Sequence, residues 1–218
     1  MKERGMIFND EMVRAILDGR KTQTRRIANS STANLLHLRE QYPHKHYNID
    51  CPFGQTGDRI WVRETFSCIG NDDGHPVDAN GNLCSREEAQ RIYRATAIQK
   101  PGNYGLWTSP DGFDFEGAWT PSIHMPRWAS RILLEITGVR AERLNSISEK
   151  DALREGLYQL PASGRYCLQP GMQYFGGASH CAKEVYSWLW ESIYGEHSWQ
   201  ANPWVWVIEF KRIEEEAL

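Results

Sequence analysis

The chain has 218 residues, 40% of them hydrophobic, and a formal net charge of -3. That is enough for one domain with a core, or for one small domain carrying large insertions. The slightly acidic balance excludes indiscriminate nucleic-acid binding, which needs a basic domain, and leaves room only for a local basic patch. Cys51, Cys68, Cys84, Cys167 and Cys181 form an odd, scattered set without a CxxC. No apolar run approaches membrane-spanning length and no signal peptide opens the chain, so a reduced, cytoplasmic protein without membrane contact is expected. His44, His46, Cys51, Cys68 and His75 share one polar region, but their spacing matches no common zinc pattern. Neither a metal nor another cofactor is expected.

In chain order, a short strand at Gly5–Phe8 leads into a helix opened by Asn9, with Asp10 and Glu11 at the positive end of its dipole. Met12, Val13, Ile16 and Leu17 repeat at helical spacing, and Gly19 supplies the left-handed stop. The next stretch, Arg20-Lys-Thr-Gln-Thr-Arg-Arg26, packs four basic and two hydroxyl side chains into seven residues. As a strand it places Lys21, Gln23 and Arg25 on one face, and Thr22, Thr24 and Arg26 on the other. Such a strand suits a polar or anionic ligand, and it also suits a solvated basic turn. Residues 28–58 read mostly as loop, with a helical turn at Ala33–Glu40.

Arg59–Phe66 is the clearest strand, and its phase puts Glu64 on the face of Ile60, Val62 and Phe66. A carboxylate there is costly unless it pairs with an arginine or faces a cleft. Residues 67–90 are rich in Asn, Asp, Gly and Pro without periodicity, and read as a surface insertion. Arg91–Ala97 is a strand, and residues 98–125 form a further insertion whose Phe113, Phe115 and Trp119 anchor it or line a rim. His124, Arg127, Trp128 and Arg131 gather hydrogen-bond donors and a stacking plane, suited to a base-and-phosphate clamp. Strands follow at Ile132–Thr137 and Val139–Leu144, divided at Gly138.

Ser148, with Asp151 three residues on, has capping-box spacing for a helix that stops at Gly156. Glu155 then occupies the last turn, where the dipole disfavours its charge and partial burial would raise its proton affinity. Residues 158–181 are a Gly- and aromatic-rich insertion. A helix at Ala182–Tyr194 with Val185, Trp188, Leu189 and Ile193 on its apolar face precedes a last strand, Trp204–Lys211, and an acidic tail, Glu214–Leu218.

Gly19, Lys21, Thr24 and Arg26 after a short N-terminal helix resemble the Gly-x-Lys-x-x-(Glu/Thr)-x-Arg motif of the ASCH domains, small β-barrels related to RNA-binding PUA domains. The Ser-Glu-Lys helix at 148–150 and the Val-Ile-Glu-Phe-Lys strand at 207–211 are similar to those of the small bacterial N4-acetylcytidine amidohydrolases. Trp-Val-Arg-Glu-Thr at 61–65 and His-Met-Pro-Arg-Trp at 124–128 look more like the larger ASCH proteins of phages and prophages. The resemblance covers roughly half the chain, and the four insertions lie outside it. It implies a single α+β domain spanning 1–218, a PUA-like β-barrel with flanking helices. It also implies a metal-independent amidohydrolase acting on an N4-acylated cytidine. Lys21, Thr24 and Glu155 would be catalytic: Thr24 as nucleophile or water-positioner, Lys21 at the oxyanion, Glu155 as proton shuttle. Arg26, Glu64, Arg127 and Trp128 are the candidate substrate contacts. The partner is a modified nucleoside or a nucleic acid. A non-catalytic RNA- or DNA-binding module is the main alternative, and a nuclease the third.

Overall fold

A computed structural model describes residues 1–213; the acidic tail read at Glu214–Leu218 lies outside the described residues. The elements in order are β1 (Glu3–Ile7), α1 (Asp10–Leu17), β2 (Gln23–Ile27), α2 (Ser30–Gln41), β3 (Arg59–Arg63), β4 (Phe66–Cys68) and β5 (Arg91–Tyr93). They continue through β6 (Ile98–Gln99), β7 (Leu106–Thr108), β8 (Asp114–Glu116), β9 (Leu133–Arg143), α3 (Glu149–Arg154), β10 (Tyr158–Gln159) and β11 (Tyr166–Cys167). Last come β12 (Ala178–Ser179), α4 (Ala182–Tyr194) and β13 (Trp204–Ile213). The fold is mixed α+β, and among the described residues the strands form several sheets and no closed barrel. No helix among the described residues is long and apolar enough to cross a membrane. Two compact units emerge, one from Met1–Lys2, Ala15–Arg59 and Glu135–Arg212, the other chiefly from Glu3–Arg14 and Ile60–Leu134.

In the first unit β13 lies between β9 and β2. The β13–β2 pair is antiparallel, with Val205 opposite Ile27 and Ile208 opposite Thr24. The break expected at Gly138 does not occur, and β9 runs unbroken through it. Its backbone there stays out of the left-handed region, and a Cβ on Gly138 would meet Glu209 only at an ordinary 3.7 Å. A full helix, α2, replaces the loop and single turn expected within 28–58; Asn29 caps it by accepting from the Thr32 amide at 2.8 Å. Leu36 fixes α2 by burying against Ala28 and Trp206, which contributes about 1.5–3 kcal/mol.

The main core of this unit gathers Leu144, Ile147, Ala152 and Leu157 with Val185, Tyr186, Trp190, Val205 and Val207. The face α4 buries is therefore Ala182, Val185, Tyr186 and Trp190, and Ile193, expected inside, is 43% exposed. Two aromatics four residues apart, Tyr186 and Trp190, stack on the interior with Trp199 and turn the helix away from the aliphatic face. Cys181 gives α4 no side-chain cap. Glu149, the first residue of α3, accepts instead from the Ala182 and Lys183 amides at 2.6 and 3.4 Å. A carboxylate at that positive helix end is favourable, and it ties α3 to α4. The 158–181 insertion folds into a small antiparallel sheet, β10-β11-β12.

In the second unit β1 pairs beside β3, β4 pairs with β5, and β6-β7-β8 form a meander. Ile69 and Val77, within the stretch read as surface insertion, are buried with Ile92 and Phe115. Trp107, Phe113 and Trp119 pack on the same cluster, so the aromatics of 98–125 anchor it. Phe66, Met125 and Ala129 form a second cluster, with Tyr93 and Trp128 against it.

Candidate active site

The first unit builds a buried ionic site from the chain that follows α1 and from the end of α3. Gly19, at φ +72°, closes α1 by donating to the Ile16 carbonyl at 3.0 Å. The chain then turns so that the Lys21 amide meets the Ala15 carbonyl at 2.9 Å and the Thr22 amide meets the Arg154 carbonyl at 2.9 Å. Lys21 and Glu155 pair as an isolated antiparallel bridge. Gly156 makes that approach possible: its φ is +108°, and a Cβ there would sit 2.8 Å from Ala15 Cβ and 3.2 Å from Lys21 Cβ. Any other residue would push the end of α3 away from Lys21.

The Lys21 ammonium donates to Glu155 Oε2 at 2.7 Å and to the Glu155 carbonyl at 2.9 Å. Arg25 Nη1 donates to the other carboxylate oxygen, Oε1, at 2.8 Å. Lys21, Arg25 and Glu155 are 2%, 3% and 4% exposed, so the carboxylate sits between two cations out of water. Arg25 Nη2 also reaches Glu142 Oε1 at 2.7 Å. Arg140 extends the network to Glu142 at 3.1 Å, Asp151 at 3.0 Å and Glu209, while Arg154 binds Glu209 at 3.1 Å. Lys21, Arg25, Arg140 and Arg154 thus face Glu155, Glu142, Asp151 and Glu209, and the cluster is neutral.

Burial pushes the proton affinity of Lys21 down, and the Glu155 carboxylate restores only part of it. Burial also works against the charge of Arg25, yet the Glu155 and Glu142 carboxylates outweigh it and hold the guanidinium firmly protonated. The Arg25 guanidinium lies 5.9 Å from the Tyr186 ring centroid. Burial, and then the nearby Glu155 charge, push the Tyr186 phenol well up, so it remains neutral. A buried lysine of lowered proton affinity beside a carboxylate fixed by an arginine is a pairing suited to proton transfer in a dry site.

The expected partners are placed as follows. Lys21 and Glu155 meet, and the predicted face of Lys21, Gln23 and Arg25 is the one that meets α3, since Gln23 Nε2 donates to the Asp151 carbonyl at 2.8 Å. Thr24 alternates with Gln23 and Arg25, is 2% exposed, and is not among the groups hydrogen-bonded to the Glu155 carboxylate. Arg25 holds the Glu155 carboxylate, and Arg26, the expected substrate contact, lies on the opposite face of β2. Arg25, Gln23 and Tyr186 were not singled out. For Arg25 the strand alternation from Lys21 was a sufficient signal, whereas nothing in the sequence aims Tyr186 at this cluster.

In the second unit, Glu64 is fully buried and takes a bidentate pair from Arg131, Nε to Oε1 and Nη2 to Oε2, each at 3.0 Å. Burial raises its proton affinity in spite of Arg131. Arg127 is exposed and paired with Glu3 at 3.1 Å. Trp128 packs edge-on against Phe66 at 6.2 Å between centroids. Among the described residues no group of three or more His, Cys, Asp and Glu side chains could hold a metal ion. No protein-family model, curated protein or solved structure matches the chain.

Proposed function

We propose that this protein is an amidohydrolase of the ASCH kind, an α+β domain built on an opened relative of the PUA-like sheet, that removes an acyl group from a modified nucleoside, most simply N4-acetylcytidine. The observation that carries the proposal is the buried Lys21–Glu155 pair at 2.7 Å, with Arg25 on the second carboxylate oxygen at 2.8 Å. Two motifs far apart in sequence, the Gly-Arg-Lys-Thr stretch and the Ser-Glu-Lys helix, supply it. Its burial favours chemistry over grip: a phosphate-binding strand needs exposed cations, whereas Lys21 and Arg25 are matched internally.

In the proposed reaction Glu155 takes a proton from a water that adds to the acyl carbon. Lys21 stabilises the oxyanion, a term commonly worth about 3–4 kcal/mol for one donor. The tetrahedral adduct collapses, the carbon–nitrogen bond breaks, and Glu155 returns the proton to the exocyclic nitrogen. The products are the free nucleoside and a carboxylic acid, which releases its proton to solvent as it leaves as the carboxylate. Water fits the contacts better than Thr24 as the attacking group, because Thr24 is not bonded to Glu155; Thr24 is left to bound the acyl pocket. No metal is needed in this scheme, because Lys21 carries the electrophilic role. The test is incubation with N4-acetylcytidine: cytidine release is expected, undiminished by EDTA. No release at high enzyme concentration, or a rate abolished by chelation and restored by added metal, would end this reading.

A further inference from the structure

The second unit holds two arginines arranged around one tyrosine. Arg131 lies 4.0 Å over the Tyr93 ring, and its Nε and Nη2 are fixed by the fork to buried Glu64. The Arg131 side chain keeps 26% of its exposure, and its Nη1 is not part of the fork. Tyr93 Oη donates to the Ala129 carbonyl at 2.9 Å, and Arg91 Nη1 donates to the neighbouring Trp128 carbonyl at 2.8 Å. Arg91 and Tyr93 are thus anchored to adjacent carbonyls, while Arg131 covers the ring of the same tyrosine. Arg91 and Tyr93 are two apart on β5 and share a face.

The charges do not balance here as they do in the first unit. Arg131 has Glu64, but among the described residues Arg91 has no carboxylate partner, only the carbonyl and the Trp128 ring at 5.9 Å. Burying Glu64 completely is costly and is a weak way to gain stability. Its effect is to hold one planar donor set rigid next to a second, uncompensated one. Preorganised guanidiniums are suited to tetrahedral oxyanions.

The geometry points to a phosphate-binding site formed by Arg91 and Arg131, with Glu64 and Tyr93 as positioning residues, that takes the phosphate group of a nucleotide or of a nucleic-acid strand. It uses groups of the second unit alone and does not rest on the amidohydrolase reading. Calorimetry on the full-length protein at constant ionic strength tests it, with inorganic phosphate, cytidine, cytidine 5′-monophosphate and a short single-stranded oligocytidylate. Phosphate and the monophosphate are expected to bind, the monophosphate at least tenfold tighter than cytidine. Arg91→Gln is expected to erase that tenfold difference without a large change in Tm, while Lys100→Gln, an exposed pair with Asp114, leaves it intact. Arg131→Lys keeps a cation but loses the fork, and severalfold weaker phosphate binding in it supports the site even where Arg91→Gln is poorly folded. A monophosphate tighter than the oligonucleotide per phosphate assigns a monoester, and the reverse assigns a backbone diester. Equal binding of cytidine and its monophosphate to the wild type, or wild-type phosphate affinity in both arginine variants, overturns the proposal.

Discussion

Glu155 separates a catalyst from a structural ion pair. In the proposed reaction Glu155→Gln keeps the shape and removes the proton carrier, so kcat is expected to fall by a factor of about a hundred to ten thousand with little change in KM. Lys21→Met would remove the proposed oxyanion partner and is expected to cost as much, whereas Thr24→Val is expected to be the mildest of the three if water attacks. A Thr24→Val loss as deep as that of Glu155→Gln would return the nucleophile role to the threonine. Since burial lowers the proton affinity of Lys21, activity that needs its ammonium should decline with rising pH below the ordinary lysine range; steady-state rates across alkaline pH check this. Glu64 gives the opposite kind of pH signal, in stability. Its folded proton affinity is raised, so the native state binds that proton more tightly than the unfolded chain does. The resulting stabilisation is complete below the unfolded glutamate pKa of about 4.3 and is lost as pH rises through the folded value, by at most ~1.4 kcal/mol per pH unit. Urea melts should show wild type losing stability relative to Glu64→Gln over that window; parallel curves would show that Glu64 does not titrate this way.

The helices and long strands were largely legible because their signals are local. Asn9 caps α1 and Ser148 caps α3, accepting from the Met12 amide at 2.8 Å and the Asp151 amide at 3.1 Å, as their spacing implied. Counting along α3 put Glu155 at its end, where it is the C-cap residue. The remainder depends on contacts with no period. Strands of two or three residues, such as β6 and β10, are too short to show alternation, and the α4 face was set by Tyr186 and Trp190 rather than by its aliphatic residues. Val77 illustrates the cost of reading composition alone: it lies in a Gly- and Asp-rich stretch, yet it is 9% exposed and bonded through its backbone to Ile69 and Gln90. Removing residues 72–83 should therefore destabilise the second unit by at least the burial of one valine, about 1.5–3 kcal/mol. Shortening only the Asp78–Asn82 turn, whose bonds are all exposed, should be nearly neutral. Equal melting temperatures for the two deletions would place Val77 outside the core's energetics.

At the scale of the whole molecule, the basic motif near the N-terminus does not give the protein a basic surface. Lys21 and Arg25 are buried among carboxylates, and the formal charge of the chain is -3. Affinity for nucleic acid with a steep salt dependence arises from many phosphates displacing counterions, with a slope near 0.7 per phosphate contact on a single strand. The proposed site of Arg91 and Arg131 offers two guanidiniums and should contact one or two phosphates. The logarithm of its affinity for a single strand should then fall against the logarithm of salt with a slope of about -0.7 to -1.4. Lys21→Met should leave that slope unchanged, because its ammonium faces Glu155, and Arg91→Gln should flatten it by about one phosphate contact. A slope several times steeper, reduced by Lys21→Met, would mean that the motif strand reaches nucleic acid directly. The buried pair would then open to bind rather than stay closed for catalysis.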